Sequence, residues 1–282
     1  MACPTCQRRS ALVAAIAPAI DRQMSFTRHG LLELLALPDE RLLAAAKIDD
    51  PARFLRGLQP APATDAVPTA LCRHDPGYPP ALAQLPSAPA VLYASCPAER
   101  LAVLLATPTV AILGSRRPTA YANRIATELA RELAGSGVAL VSGMNAGLEG
   151  HVHRAALKNS NPNNIAVMAG GADVAFPSNY AAVQRDMLAR AVALSELPPK
   201  FRPRPWSFIA SQRTIAALAD VIVVVEPGHS CALLAAEIAS GLGAEVAVVP
   251  GRLTDPGGKW LCALLQDGAR PVSCGRDVLE LL

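Results

Sequence analysis

Short apolar runs rich in Val, Ile and Leu alternate along this chain with stretches that have helical spacing. The runs are residues 110–113, 138–141, 165–168, 192–194, 221–225 and 246–249. Strands that are apolar on both faces and alternate with helices belong to a parallel sheet covered by helices on both sides. The pattern therefore predicts an α/β fold with an extended Rossmann-like, doubly wound and mostly parallel sheet.

The first third of the chain differs from this pattern. Residues 1–60 carry leucines at helical spacing and predict a small N-terminal helical domain. Residues 51–70 are rich in proline, and residues 61–107 are interpreted as a linker and lead-in to the core. The Rossmann-like domain is then expected over residues 108–282.

Composition excludes several classes of protein. A chain of 282 residues with 51% hydrophobic and 17% charged residues is globular rather than disordered. Its net charge of +3 permits a nucleic-acid partner without requiring one. No apolar run is long enough to span a bilayer, so we expect a cytoplasmic protein with no membrane partner.

The cysteines favour free thiols. Seven of them, an odd number, are scattered along a chain that is not a small secreted domain. Cys3-Pro-Thr-Cys6 resembles half of a zinc knuckle, but no second CxxC or HxxxH pair stands nearby in the sequence. We therefore expect no metal.

The turn after the first strong strand is a candidate phosphate site. Gly114 lets a backbone approach a phosphate, and Ser115 adds a hydroxyl. Arg116 and Arg117 add fixed positive charge, and a guanidinium can hold two phosphate oxygens. The turn lacks the GxGxxG pattern and no acidic residue occupies the ribose-binding place, so we expect no dinucleotide and no other cofactor.

Further small residues are expected along the same edge of the sheet, since ligands of such sheets lie beyond the carboxyl ends of the strands. The residues predicted to shape this pocket are Ser142, Gly143, Gly147, Gly170, Gly171, Ser195 and Ser230. Beside them, Glu149 and His153 are one helical turn apart, a spacing that favours a structural pair over acid–base chemistry. We predict no catalytic residue.

Cations alternate with aromatic residues in the segment that follows Ser195. The cations are Lys200, Arg202, Arg204 and Arg213, and the aromatic residues are Phe201, Trp206 and Phe208. Aromatic rings between cations suit a single nucleic-acid strand, whose bases stack on rings while its backbone follows the charge. Phe208 is expected to lie in the core.

Together these segments, in this order from residue 73 onward, resemble the DprA/Smf family of bacterial DNA-processing proteins. The similar segments are His74–Pro79, Pro89–Tyr93, Gly114–Arg116 with Tyr121, Ser142–Leu157, Ile165–Val167, Gly171–Asp173, Phe176-Pro177, Ser195-Glu196, Phe208, Arg213, Ile215, Val225-Glu226, Pro250-Gly251 and Gly268-Ala269.

The resemblance implies a protein that binds single-stranded DNA without sequence preference, forms a homodimer and loads RecA during DNA uptake and natural transformation. It implies no enzymatic turnover. By position, Arg116, Lys158 and Arg213 are then the phosphate contacts, with Gly114 and Ser115 shaping the pocket.

The chain departs from the family at Ser211 and Gln212, which replace an arginine and an asparagine, and at Cys231 and Ala235, which replace a glycine and a threonine. A lost arginine removes one expected phosphate contact and predicts weaker DNA binding. Two alternatives stay open. One is a nucleotide-processing or nucleotide-sensing enzyme of the lysine-decarboxylase-like Rossmann group, and the other is a scaffold that retains only partner contacts.

Overall fold

The computed structural model describes residues 2–22, 27–60, 64–159, 162–228, 231–255 and 257–282. Within them a single nine-stranded sheet has the order β1-β2-β6-β5-β4-β3-β7-β8-β9. The strands are β1 (Thr69–Cys72), β2 (Val91–Ala94), β3 (Thr109–Gly114), β4 (Ala139–Gly143), β5 (Asn164–Met168), β6 (Val192–Ser195), β7 (Val221–Val225), β8 (Glu245–Val248) and β9 (Arg270–Pro271). Each of the six predicted runs overlaps one of these strands.

The seven strands from β6 to β9 in that order are parallel, and β1 and β2 are antiparallel additions at one edge. The prediction of a doubly wound, mostly parallel α/β sheet is confirmed. The segment 61–107, interpreted as a linker and lead-in, supplies β1 and β2 to the same sheet, and Tyr93 pairs in register with Ser195. The sheet is continuous across residue 108, since β1 and β2 precede it. The predicted domain boundary near residue 108 stays a prediction.

Helices cover both faces of the sheet. They are α1 (Pro4–Ala15), α2 (Ala17–Arg22), α3 (Arg28–Ala36), α4 (Asp39–Ala45), α5 (Pro51–Gly57), α6 (Pro80–Ala83), α7 (Ala98–Leu105), α8 (Ala120–Ala134), α9 (Leu148–Ala156), α10 (Ala181–Arg190), α11 (Pro205–Leu218), α12 (Ala232–Gly241), α13 (Gly258–Gln266) and α14 (Gly275–Leu279). No helix in the described ranges is long and apolar enough to cross a membrane.

Alternate residues of β3 belong to opposite cores, as the two-residue period of a strand requires. Val110 and Ile112 lie in the core that contains buried residues of α8 and α9, and Ala111 and Leu113 lie in the core that contains those of α11 and α12. The sheet is therefore buried on both faces, and its strand ends are the places where it can meet a ligand.

The N-terminal helices pack against the start of α11. Buried leucines of α1, α3 and α4 share one apolar cluster with Leu197 and Trp206. A salt bridge of 2.6 Å between Arg204 and Asp21 lies beside this cluster. The helical segment predicted over residues 1–60 is thus joined to the sheet through the basic, aromatic segment that follows β6.

Candidate nucleic-acid interface

The candidate site lies where the direction of the sheet changes. β3 pairs with β4 on one side and with β7 on the other, and Gly114 at its end is in register with Val225 at the end of β7. Successive strands lead away from this point in opposite directions, which leaves a crevice at the carboxyl ends of β3 and β7.

Gly114 is required by this packing. A Cβ at its position would lie 2.1 Å from the carbonyl oxygen of Val225 and 2.7 Å from Cδ1 of Leu148. The next residue, Ser115, accepts a hydrogen bond from the backbone N–H of Arg117 on its hydroxyl (3.0 Å). The turn is therefore fixed by its own backbone, with Ser115 buried and the two arginines directed outward.

The second glycine turn meets the first, as the sequence predicts. The backbone N–H of Leu148 donates to the carbonyl oxygen of Ser115 (3.1 Å). Gly147 has a φ of 94°, and a Cβ there would lie 2.5 Å from the carbonyl oxygens of both Ser115 and Arg116. The start of α9 thus packs against the backbone of the arginine turn and holds it in place.

Arg116 and Arg117 are exposed, and neither forms an ion pair within the described part of the chain. Lys200 and Arg202 are exposed in the same way. Lys158 is also exposed but follows the far end of α9, about 15 Å along the helix at 1.5 Å per residue. The structure therefore brings four of the predicted cations to the carboxyl edge and leaves Lys158 toward the opposite edge.

The basic loop after β6 is held by the end of β5. The N–H of Gly171 donates to the carbonyl oxygen of Phe201 (2.8 Å), and the N–H of Lys200 donates to Oδ1 of Asp173 (2.8 Å). A Cβ at Gly170 would lie 2.8 Å from the same Phe201 oxygen. Gly170 and Gly171 thus let the two loops touch, which places Lys200 and Arg202 on the rim.

The predicted serines serve the backbone of this rim. The hydroxyl of Ser142 donates to the carbonyl oxygen of Ile112 (2.7 Å), and that of Ser195 donates to Gly170 (2.6 Å). Both side chains are fully buried, so they shape the strand ends rather than face a ligand. Ser230, the remaining predicted serine, lies outside the described residues.

The aromatic residues of the basic segment are not all where the sequence placed them. Trp206 is 1% exposed and packs edge-on against Phe201, with ring centroids 6.1 Å apart, so its expected role as a stacking platform is wrong. Phe208, expected in the core, is half-buried against Phe176 at 5.6 Å. Phe176 itself is 40% exposed, so it presents an aromatic side chain at this part of the rim.

Arg213 has a different environment from the other predicted cations. It is 4% exposed, and its Nε and Nη2 donate to the carboxylate of Glu196 at 3.0 and 2.7 Å. Its Nη1 donates to the carbonyl oxygen of Ser87. A phosphate contact from Arg213 would require this buried pair to open.

The two substituted positions before Arg213 are buried as well. Ser211 and Gln212 are 3% and 1% exposed, and both side chains donate to the carbonyl oxygen of Phe208. Position 211 faces the protein interior. An arginine there would therefore not be placed at the surface to contact phosphate, which argues against the predicted loss of such a contact.

A buried carboxyl group lies under the second turn. Glu149 is 5% exposed, and its Oε2 accepts a hydrogen bond from the N–H of Asn145 (3.0 Å). Burial raises the pKa of Glu149 to about 7. The expected pairing with His153 is wrong, because His153 contacts the carbonyl oxygen of Gly143 (2.9 Å) and Oδ1 of Asn164 (3.0 Å).

A second cluster of reactive side chains lies at the far end of the sheet. Ligand atoms of Cys3, Cys6, Cys72 and His74 all lie within 4.8 Å of one another. The argument that no further metal ligands accompany the first two cysteines is therefore wrong. The second pair, Cys72 and His74, is distant in sequence and spaced as CxH, so a search for a second CxxC or HxxxH misses it.

The fold and its rim define an α/β protein of the Rossmann-like class. A family model described as DNA recombination-mediator protein A matches residues 69–282, and the chain belongs to this family. The putative DNA processing protein DprA of Mycobacterium tuberculosis is 38% identical over 195 residues, which are 69% of this chain and 49% of that protein. The chain thus spans about half the length of that relative. DprA of Bacillus subtilis is 32% identical over 206 residues, 73% of this chain and 68% of that protein.

Two solved structures have the same fold. The X-ray structure of DNA processing protein A from Streptococcus pneumoniae superposes with a TM-score of 0.70 and 26% identity, covering 91% of this chain and 93% of that chain. DNA processing protein A from Helicobacter pylori, whose structure is described in terms of a unique single-stranded DNA binding mode, gives a TM-score of 0.63 and 30% identity. That match covers 74% of this chain and 97% of the Helicobacter chain.

Proposed function

We propose that this protein binds single-stranded DNA without sequence preference along the carboxyl rim of its sheet. The observation that carries the proposal is the arginine turn after β3. Arg116 and Arg117 are exposed and lack an ion-pair partner in the described structure, while Gly114 and Gly147 hold the backbone beneath them. Such a turn offers charge to a phosphate at little cost, since no existing pair has to be broken.

The rest of the rim extends this site in one direction. Lys200 and Arg202 stand on the loop that β5 supports, and Phe176 presents an aromatic face beside it. Cations that follow a backbone and a ring on which a base stacks are the features of sequence-tolerant binding to a single strand. The single-stranded DNA binding mode described for the Helicobacter pylori relative supports the same conclusion.

The proposed activity is binding without turnover. Glu149, a buried acid at the start of α9, accepts a hydrogen bond from the backbone N–H of Asn145. Glu226, at the end of β7, accepts hydrogen bonds from the N–H and hydroxyl of Thr119. Both carboxylates therefore stabilise turns of the rim. Release of free base from nucleoside monophosphates would contradict this reading and favour the enzyme alternative.

The proposal is tested by an oligo-dT gel shift over a salt series with Arg116→Ala beside the wild type. Loss of one charge-assisted contact, about 1.5–3 kcal/mol, raises the Kd by about 10-fold to 150-fold. The dependence of log K on log salt also becomes shallower, by about 0.7 for each lost single-strand phosphate contact. Both effects are expected together.

The matched control is Arg131→Ala, which removes an exposed arginine from the last turn of α8, away from the rim. It should leave both the Kd and its salt dependence unchanged. Equal loss of affinity in the two variants would indicate diffuse charge attraction, and no loss in Arg116→Ala would contradict the proposed site.

By its family resemblance, the proposal includes two protein partners, RecA and a second copy of this chain. Light scattering of the purified protein tests the homodimer, and capture of purified RecA on immobilised protein tests the other. Retention of both partners by a protein that fails to bind oligo-dT would favour the scaffold alternative.

A further inference from the structure

We propose that Cys3, Cys6, Cys72 and His74 bind one structural zinc ion, which joins the N-terminal end of α1 to the end of β1. The site is separate from the proposed DNA-binding rim and does not depend on it. Cys3 and Cys6 precede the region that matches the family, whereas Cys72 and His74 lie at its start.

Three of the distances between the ligand atoms are close to those of a coordination tetrahedron. Nδ1 of His74 lies 3.5, 3.4 and 3.9 Å from the Sγ atoms of Cys3, Cys6 and Cys72. With Zn–S bonds of about 2.3 Å and a Zn–N bond of about 2.0–2.1 Å, the ligand atoms of a tetrahedral site are about 3.6–3.8 Å apart. The three observed nitrogen–sulfur separations are close to this range, and all four ligand atoms lie within 4.8 Å of one another, so small side-chain adjustments complete the site.

Hydrogen bonding alone does not account for this convergence. One imidazole nitrogen carries either one proton or one lone pair, so it forms a good hydrogen bond with only one of the three sulfurs. A cation at the centre satisfies all four donors at once. Three sulfurs and one imidazole nitrogen form a donor set typical of zinc, whereas magnesium and calcium prefer oxygen ligands.

The local structure prepares these ligands. Cys3 is the N-cap of α1 and Pro4 occupies its first position, so Cys6 falls in the first helical turn. The backbone N–H of Cys3 donates a hydrogen bond to Sγ of Cys72 (3.5 Å), and such a bond stabilises a thiolate ligand. In the turn after β1, Oδ2 of Asp75 accepts a hydrogen bond from the backbone N–H of Cys72 (2.6 Å) and orders the segment that carries His74.

Burial indicates a closed structural site. Cys6 and Cys72 are 3% and 1% exposed, whereas the ring of His74 is at the surface, which gives an ion a path of entry. Four protein ligands leave no open position for a substrate. Cys3 and Cys72 are 69 residues apart in the sequence. A metal ion bound by both therefore closes a long loop and stabilises the attachment of the N-terminal helices.

The experiment is metal analysis of the full chain, purified without chelator, by inductively coupled plasma mass spectrometry. We expect one zinc per chain in the wild type and in Cys262→Ser, a control that removes a part-buried cysteine of α13 outside the cluster. Cys6→Ser and His74→Ala should lose most of the zinc. His74→Ala changes an exposed side chain, so its fold should be retained, which circular dichroism checks.

Cobalt substitution of the wild type gives a second measurement that does not depend on any variant. Co²⁺ in this site should produce thiolate-to-cobalt charge-transfer bands and the strong visible bands of tetrahedral coordination, and added zinc should abolish them. The proposal is overturned by a metal-free protein with reduced thiols that gives no such bands, by a disulfide within the cluster in freshly purified protein, or by full zinc content in both ligand variants.

Discussion

Two arginines that the sequence predicts to contact phosphate, Arg116 and Arg213, lie in opposite environments. Arg116 stands exposed on a glycine-supported turn without an ion pair among the described residues. Arg213 is 4% exposed and donates to both oxygens of Glu196. We expect the exposed guanidinium of Arg116 to be available to a phosphate, whereas the buried carboxylate of Glu196 already pairs with that of Arg213. Stability should therefore depend on Arg213, and DNA affinity on Arg116.

The strongest test of this contrast is Arg213→Ala. Removing one partner of a buried ion pair leaves Glu196 charged and uncompensated, which costs about 3–5 kcal/mol of unfolding free energy. Thr214, which also donates to Glu196, cannot replace the lost charge. The free energy of unfolding in urea, measured beside Arg116→Ala, should fall for Arg213→Ala alone.

The double variant Arg213→Ala with Glu196→Ala is the control for that experiment. It removes both charges, so it should be more stable than the sum of the two single changes indicates. Unchanged stability in Arg213→Ala together with a large loss of oligo-dT affinity would instead place Arg213 in the DNA interface.

The contrast also shows what the sequence can predict. The turn at Gly114 and Arg116 follows from local signals, an apolar strand and the glycine and helix that come after it, and these signals placed it correctly on the rim. The burial of Arg213 depends on Glu196, 17 residues away, and on Ser87, 126 residues away. No periodicity within one segment encodes such contacts.

The same reason explains two further differences between the predicted and the observed structure. In the sequence Trp206 lies between cations, which predicts a ring on which bases stack, but in the structure the apolar N-terminal helices cover it. Cys3 is separated from Cys72 by 69 residues, and the four possible ligands meet because the start of α1 packs against β1 and β2. Chemistry carried by one turn is visible in one sequence, whereas chemistry assembled from distant segments needs the fold.

A second prediction compares two buried carboxyl groups, Glu196 with its arginine and Glu149 without an ion-pair partner in the described structure. Burial raises the pKa of Glu149 from 4.5 to about 7. Between these values the unfolded chain binds fewer protons than the folded chain, so stability falls as the pH rises. The expected loss is about 3 kcal/mol, at about 1.4 kcal/mol per pKa unit.

Urea unfolding at pH 5 and pH 8 measures this effect. Glu149→Gln keeps the size of the side chain and cannot ionise, so the difference between its two values should shrink by the contribution of that group. An unchanged profile in Glu149→Gln would show that the carboxyl group reaches solvent or a cation in solution.

The smallest expected effect concerns the exposed ring of the rim, and it tests whether binding there involves bases as well as phosphates. Phe176→Leu keeps apolar bulk against Phe208 but removes the aromatic face. Since a stacked base contributes about 1–3 kcal/mol, the Kd for oligo-dT should rise by at least about fivefold. Unfolding stability should change little, because the side chain is 40% exposed.

Since stacking is not ionic, the salt slope should stay at the wild-type value, which distinguishes this loss from that of Arg116→Ala. A salt slope that falls along with the affinity would show that Phe176 only positions the neighbouring cations, and the rim would then bind DNA by charge alone.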